Sequence, residues 1–124
     1  MDHTDAVSDD AARDELIGRK VIAVAFFEDF IEVHFEGNAI LTGYTRPFGN
    51  VGCGGVSETT IRWFVGKRVD GFEIKPGRYI AIDSREMRLA FPIDEGSKVG
   101  GPEAARLYVR GVDELGLPAK HWIW

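Results

Sequence analysis

The sequence predicts an α+β domain, mainly antiparallel β, in which two similar units, each a short helix and a three-stranded meander, pack as one domain. Three observations lead there. A six-residue box occurs twice. Alternating apolar and polar residues follow each copy. Turn-forming residues cut each alternating stretch into short strands.

The first box reads Leu16-Ile17-Gly18-Arg19-Lys20-Val21 and the second Phe64-Val65-Gly66-Lys67-Arg68-Val69, an offset of 48 residues. Each has two apolar residues, Gly, two basic residues and Val. The likeness continues beyond the box. Val24 and Phe26 match Phe72 and Ile74, Ile31 and Val33 match Ile80 and Ile82 after a one-residue insertion, and Ile40 matches Leu89.

In chain order, residues 1–8 read as an acidic, solvated N-terminal tail. Unit one covers about 9–48 and unit two about 57–95. Each opens on a short helix, over 9–17 and 57–65. Asp9 and Ser57 suit the N-cap, because their side chains accept from free N–H groups of the first turn. Gly18 and Gly66 suit the left-handed residue that ends a helix. Helices of about two turns persist only when packed, and Leu16, Trp63 and Phe64 are the expected anchors.

The strands follow. Glu28-Asp29 and Lys75-Pro76-Gly77-Arg78 make the first turns, Glu36-Gly37-Asn38 and Ser84-Arg85-Glu86 the second. Between them Ile31, Val33 and Phe35 share one face of a strand, and Glu32 and His34 the other. The third strands fall near 39–44 and 88–93. A three-stranded sheet has one apolar face to hide, and two units hide their faces against each other.

The Gly-rich run 49–55 reads as a flexible connector. In the C-terminal segment, about 102–124, Pro102 suits a first helical position, while 107–109 and 121–124 read as short strands. The closing His121-Trp122-Ile123-Trp124 is too apolar to hang free, so it is expected to dock in the fold or in a partner.

Composition narrows the function classes. The 124 residues, 44% hydrophobic and 28% charged, suit one globular domain over 1–124. A net charge of −5 repels phosphate backbones, which argues against nucleic-acid binding. One cysteine, Cys53, excludes an internal disulfide and fits a reducing cytoplasm. No secretory signal is read at the N-terminus, and the longest apolar stretch, 21–27, is too short to span a bilayer. The expected location is cytoplasmic, away from membranes.

Candidate chemistry is sparse. Gly52, Cys53 and Gly54 lie in a run whose backbone N–H groups could cradle an anion, but no buried parallel strand precedes it and no P-loop Lys follows. A thiol site would need a base beside Cys53. His34, with Glu32 two residues before it, is the histidine placed well inside the chain. Unit two carries Asp83 where unit one carries His34, so the site is not repeated. His3, His34 and His121 are scattered and form no metal motif; no metal or cofactor is expected. Glu28-Asp29 and Asp94-Glu95 read as solvated turn residues rather than an acid–base pair. Among Tyr44, Phe48, Trp63, Tyr108, Trp122 and Trp124, most are expected in the core. The rest, with Arg46, would form a partner patch.

The box at 16–21, the strand Phe30-Ile31-Glu32-Val33-His34-Phe35-Glu36-Gly37, the run Gly101-Pro102-Glu103-Ala104-Ala105 and the closing Trp122-Ile123-Trp124 resemble a small bacterial family with a duplicated β-meander unit and no established activity. That resemblance implies a fold and no functional residue. Residues 64–82 are also similar to a β-hairpin stretch of formamidopyrimidine-DNA glycosylases. Those enzymes use an N-terminal Pro-Glu and a zinc finger; this acidic chain starts Met1-Asp2 and has one Cys, which rejects that assignment.

The expected function is therefore a non-enzymatic protein-interaction or binding domain, with a protein partner or a second copy of itself, and neutralisation of a partner as one version. The alternative is a small-molecule or anion binder, or a thiol-dependent enzyme, built on the loop around Cys53, with His34, Arg46, Gly52 and Gly54 as its candidate binding residues.

Overall fold

A computed structural model of the chain describes residues 6–51, 55–98, 101–110 and 119–124. Helix α1 (Ala6–Leu16) leads into a meander of β1 (Val21–Phe26), β2 (Ile31–Phe35) and β3 (Ala39–Gly43). Strand β4 (Phe48–Asn50), the short helix α2 (Glu58–Ile61) and a 3₁₀ turn (Arg62–Phe64) lead into the second meander, β5 (Gly71–Lys75), β6 (Tyr79–Ser84) and β7 (Met87–Pro92). A 3₁₀ turn (Glu95–Ser97), β8 (Ala105–Val109) and β9 (Lys120–Ile123) follow. The α+β class, mainly antiparallel β, is as the alternation predicted. No helix among the described residues is long and apolar enough to cross a membrane.

Two sheets form, ordered β1-β2-β3-β8-β9 and β4-β7-β6-β5, with every neighbouring pair antiparallel. The strand that leaves the first meander, β4, pairs with β7 of the second. The strand that follows the second meander, β8, pairs with β3 of the first. Each third strand thus has its open edge covered, which removes a template for aggregation.

The inner faces meet in one core. Val33, Phe35, Leu41 and Leu107 come from the first sheet, and Phe72, Ile80, Ile82, Leu89 and Phe91 from the second. Each such side chain contributes roughly 1.5–3 kcal/mol on burial. Helix α1 adds Ala12 and Leu16 to this core. It also ties the sheets together: Arg13 Nε donates to the Phe72 carbonyl of β5 (3.0 Å), and Glu15 accepts from Lys120 Nζ of β9 (2.7 Å).

The two boxes bind each other. Gly18 N–H donates to Val69 O (2.7 Å) and Gly66 N–H to Val21 O (2.8 Å). Val21 N–H donates to Lys67 O (2.8 Å) and Val69 N–H to Arg19 O (2.9 Å). Lys20 and Arg68 form an antiparallel bridge at the centre. Both glycines follow helical segments and hold positive φ, +93° and +90°, which is why glycine occupies them.

Several local expectations are corrected. Helix α1 starts at Ala6, inside the span read as a tail, and Asp9 is a buried residue of that helix rather than its N-cap. Ser57 does cap α2: its Oγ accepts from Thr60 N–H while its own N–H donates to Thr60 Oγ1. Leu16 and Phe64 are buried anchors, but Trp63 is 49% exposed. The partner of Leu89 in the comparison of units is Leu41, not Ile40. The turn at 36–38 has three residues and that at 85–86 has two, so the insertion in the first turns cancels at the second. Leu41 and Leu89 are both buried accordingly.

Pro102 opens no helix. Residues 105–109 are drawn out as β8 because the edge of β3 offers backbone partners that an isolated helical turn lacks. The C-terminus docks in the fold: Trp122 is buried, Trp124 O accepts from Ala104 N–H (2.7 Å), and the Trp124 ring meets Phe72 edge-on at 6.1 Å. The Gly-rich run is a strand at its start, since Gly49 belongs to β4. A Cβ at Gly49 would run into the carbonyl oxygen of Arg88, so only glycine permits this approach. Gly52, Cys53 and Gly54 lie outside the described residues.

Candidate functional site

A cleft of about 900 Å³ opens where four segments converge: 26–31 at the β1–β2 turn, 43–47 between β3 and β4, 56–58 with Ile61 at α2, and 101–103 before β8. Its apolar surface begins at the β1–β2 turn. Phe27 N–H donates to Phe30 O (2.9 Å), which closes the turn and brings the two rings into a stack with centroids 4.6 Å apart. Phe30 in turn leans on Tyr44 at 5.7 Å. Phe26 carries the Arg62 guanidinium over its ring at 4.8 Å. Ile31, Pro47, Val56, Ile61 and Pro102 complete the apolar lining.

Backbone bonds hold this geometry. Tyr44 N–H donates to Ala104 O (2.8 Å), which ties the β3 end to the 101–104 segment. The next residue, Thr45, is buried and donates through Oγ1 to Pro92 O (2.7 Å), fixing the same segment to the second sheet. The Ser57–Thr60 capping box sets α2 and so the position of Glu58.

Glu28, Asp29, Glu58 and Glu103 bring four carboxylates to the lining, against one guanidinium, Arg46. Elsewhere most described carboxylates are engaged. Asp10 pairs with Arg13, Glu32 with His34, Glu36 with Arg68, Asp83 with Arg88 and Glu95 with Lys98. Glu15 is held below the ordinary value of 4.5 mainly by the Lys120 ammonium, and Glu73 mainly by the Tyr79 hydroxyl and then Arg88. Among the described residues the four cleft carboxylates form no side-chain hydrogen bond or ion pair. Among the described residues, the acid left without a partner is therefore gathered largely at one cleft, beside aromatic rings.

Of the candidate residues read from the sequence, Arg46 lines the cleft. His34 does not. It stands on the outer face of the first sheet, between Ala23 and Ile40, with Nε2 at 2.8 Å from Glu32 Oε1. The Glu32–His34 pair exists as read, while Cys53, Gly52 and Gly54 fall outside the described residues. The six aromatics divide differently from expectation. Trp122 is buried, Trp124 packs against the core, Tyr44 lines the cleft, and Phe48, Trp63 and Tyr108 are exposed. Exposure arises because Phe48 and Tyr108 stand on outer sheet faces, opposite the rows that fill the core.

Phe27, Phe30, Glu58 and Glu103 were missed. Two phenylalanines flanking the acidic turn Glu28-Asp29 were the available signal, since a purely solvated turn has no use for exposed aromatic rings. Among the described residues no group of three His, Cys, Asp or Glu side chains is placed to hold a metal ion. No protein-family model matches the chain, and no curated protein or solved structure matches it either.

Proposed function

We propose that the protein is a non-enzymatic binding domain that receives its ligand in the cleft between the β1–β2 turn, the β3–β4 segment and α2. One observation carries this reading: the cleft of about 900 Å³ combines stacked aromatic rings with carboxylates that have no side-chain partner among the described residues. Clefts of roughly 300–1,000 Å³ with mostly apolar walls and a few polar groups are the usual form of a ligand site. Phe27 is 51% exposed there, an apolar cost that an occupant would relieve.

The surrounding scaffold supports the same reading. The 48-residue offset between the boxes and their reciprocal hydrogen bonds support descent of the two meanders from one unit, and both copies serve folding. The cleft draws on segments outside the two boxes. A single cysteine and an acidic surface support a cytoplasmic protein that avoids nucleic acid.

The test is amide chemical-shift mapping with a fragment panel of mixed charge. Saturable shifts confined to 26–31, 43–47 and 56–58, and lost in Tyr44→Ser with an unchanged melting temperature, are expected. No shift with any fragment, or shifts that map elsewhere, overturns the reading.

A further inference from the structure

We propose that the ligand is a small organic cation, an amine or quaternary ammonium carried on an aromatic or aliphatic body; this rests on the cleft being the binding site. Three features of the cleft select that chemistry together. The faces of aromatic rings are electronegative and attract a cation brought within about 6 Å of the centroid. Phe27, Phe30 and Tyr44 supply such rings along one wall, and Phe26 already holds the Arg62 guanidinium in this way. Arg62 already occupies Phe26, so the ligand's charge is left to the other three rings.

The second feature is charge. Glu28, Asp29, Glu58 and Glu103 line the cleft, against Arg46 in the lining and the Arg62 guanidinium on the Phe26 ring. A positive ligand gains from each nearby carboxylate, and a phosphate or carboxylate ligand meets repulsion from all four. The third is availability. The carboxylates of the outer sheet faces are spent on Arg88, Arg68 and His34, whereas those of the cleft have no side-chain partner among the described residues. A ligand ammonium would not have to displace an existing ion pair. The volume suits a small molecule rather than a protein surface, which is flatter and larger.

The full chain, isotope-labelled, is titrated with phenethylamine, benzyltrimethylammonium, the neutral phenethyl alcohol, the anionic hydrocinnamate and a capped phenylalanyl-lysine peptide. The two cations are expected to shift the amides of 26–31, 43–47 and 56–58 and to bind about tenfold tighter than the alcohol, an advantage that falls with added salt; hydrocinnamate is expected to give no response. Glu58→Gln with Glu103→Gln is expected to weaken the amine by about tenfold and leave the alcohol unchanged, while Arg46→Gln tightens the amine by about threefold. If the alcohol binds as well as the amine, the cleft stands as a binding site and the cation assignment falls. A preference for hydrocinnamate overturns it as well. A response only to a capped phenylalanyl-lysine peptide overturns it in favour of a protein partner. If no probe of any charge binds, the cleft reading itself has failed.

Discussion

Lys20 and Arg68 oppose each other across an antiparallel bridge, and the Glu36 carboxylate lies between them. Its Oε2 accepts from Arg68 Nη1 at 2.9 Å and from the Lys20 backbone N–H at 3.2 Å. The two boxes therefore bring like charges together at the centre of their shared hydrogen-bond set, and one acid offsets them. The Lys20 N–H, then Arg68, holds the Glu36 carboxyl below its ordinary value of 4.5. Directly opposed like charges destabilise a pair of strands. Glu36→Gln is expected to lower the denaturation midpoint, and to lower it further at low ionic strength. An unchanged midpoint at both salt concentrations would show that solvent already screens the bridge.

The box glycines make a matched pair. Neither Gly18 nor Gly66 has a heavy atom within 4 Å of where a Cβ would stand. Substitution therefore tests backbone conformation alone. Gly18→Ala and Gly66→Ala are each expected to cost about 1 kcal/mol in urea denaturation, from the left-handed φ. Two neutral substitutions would refute a conformational role for the glycines.

Acid stability follows from Glu15 and Glu73. Both have folded pKa values below the unfolded 4.5. A depressed carboxylate contributes stability that is present above pH 4.5 and is lost as pH falls through the lowered folded value. Thermal stability is expected to decline below pH 4.5, and Glu15→Gln should flatten part of that decline. A Glu15→Gln curve parallel to the parent curve across this window would contradict the assignment.

Trp122 and Trp63 should separate cleanly. Trp122 is 8% exposed and packs in the core, so Trp122→Ala is expected to cost about 3 kcal/mol or more. Trp63 is half exposed, and Trp63→Ala should change stability by no more than about 0.5 kcal/mol. Equal losses in chemical denaturation would place Trp63 in the core, as its sequence context had suggested.

The local rules of the chain were legible without coordinates. The two meanders, the left-handed glycines at 18 and 66, the Ser57 cap and the docked C-terminus follow from alternation, turn chemistry and apolar content, and each depends on residues a few positions apart. The Ile40 match failed by one residue because turn length, not side-chain likeness, sets strand register.

What the tertiary structure alone decided is which distant segments meet. Pro102 read as a helix start until the open edge of β3 drew residues 105–109 into a strand. The Gly-rich run read as a loose connector until β7 took Phe48–Asn50 as a partner. The cleft joins residues from 26 to 103, and Glu28 and Asp29 read as solvated turn residues because their neighbours in space are not their neighbours in sequence. Sequence alone determined the pieces, since their physics is local. Pairing across strand edges determined the cleft, since an unsatisfied edge is satisfied by whichever segment the fold brings to it.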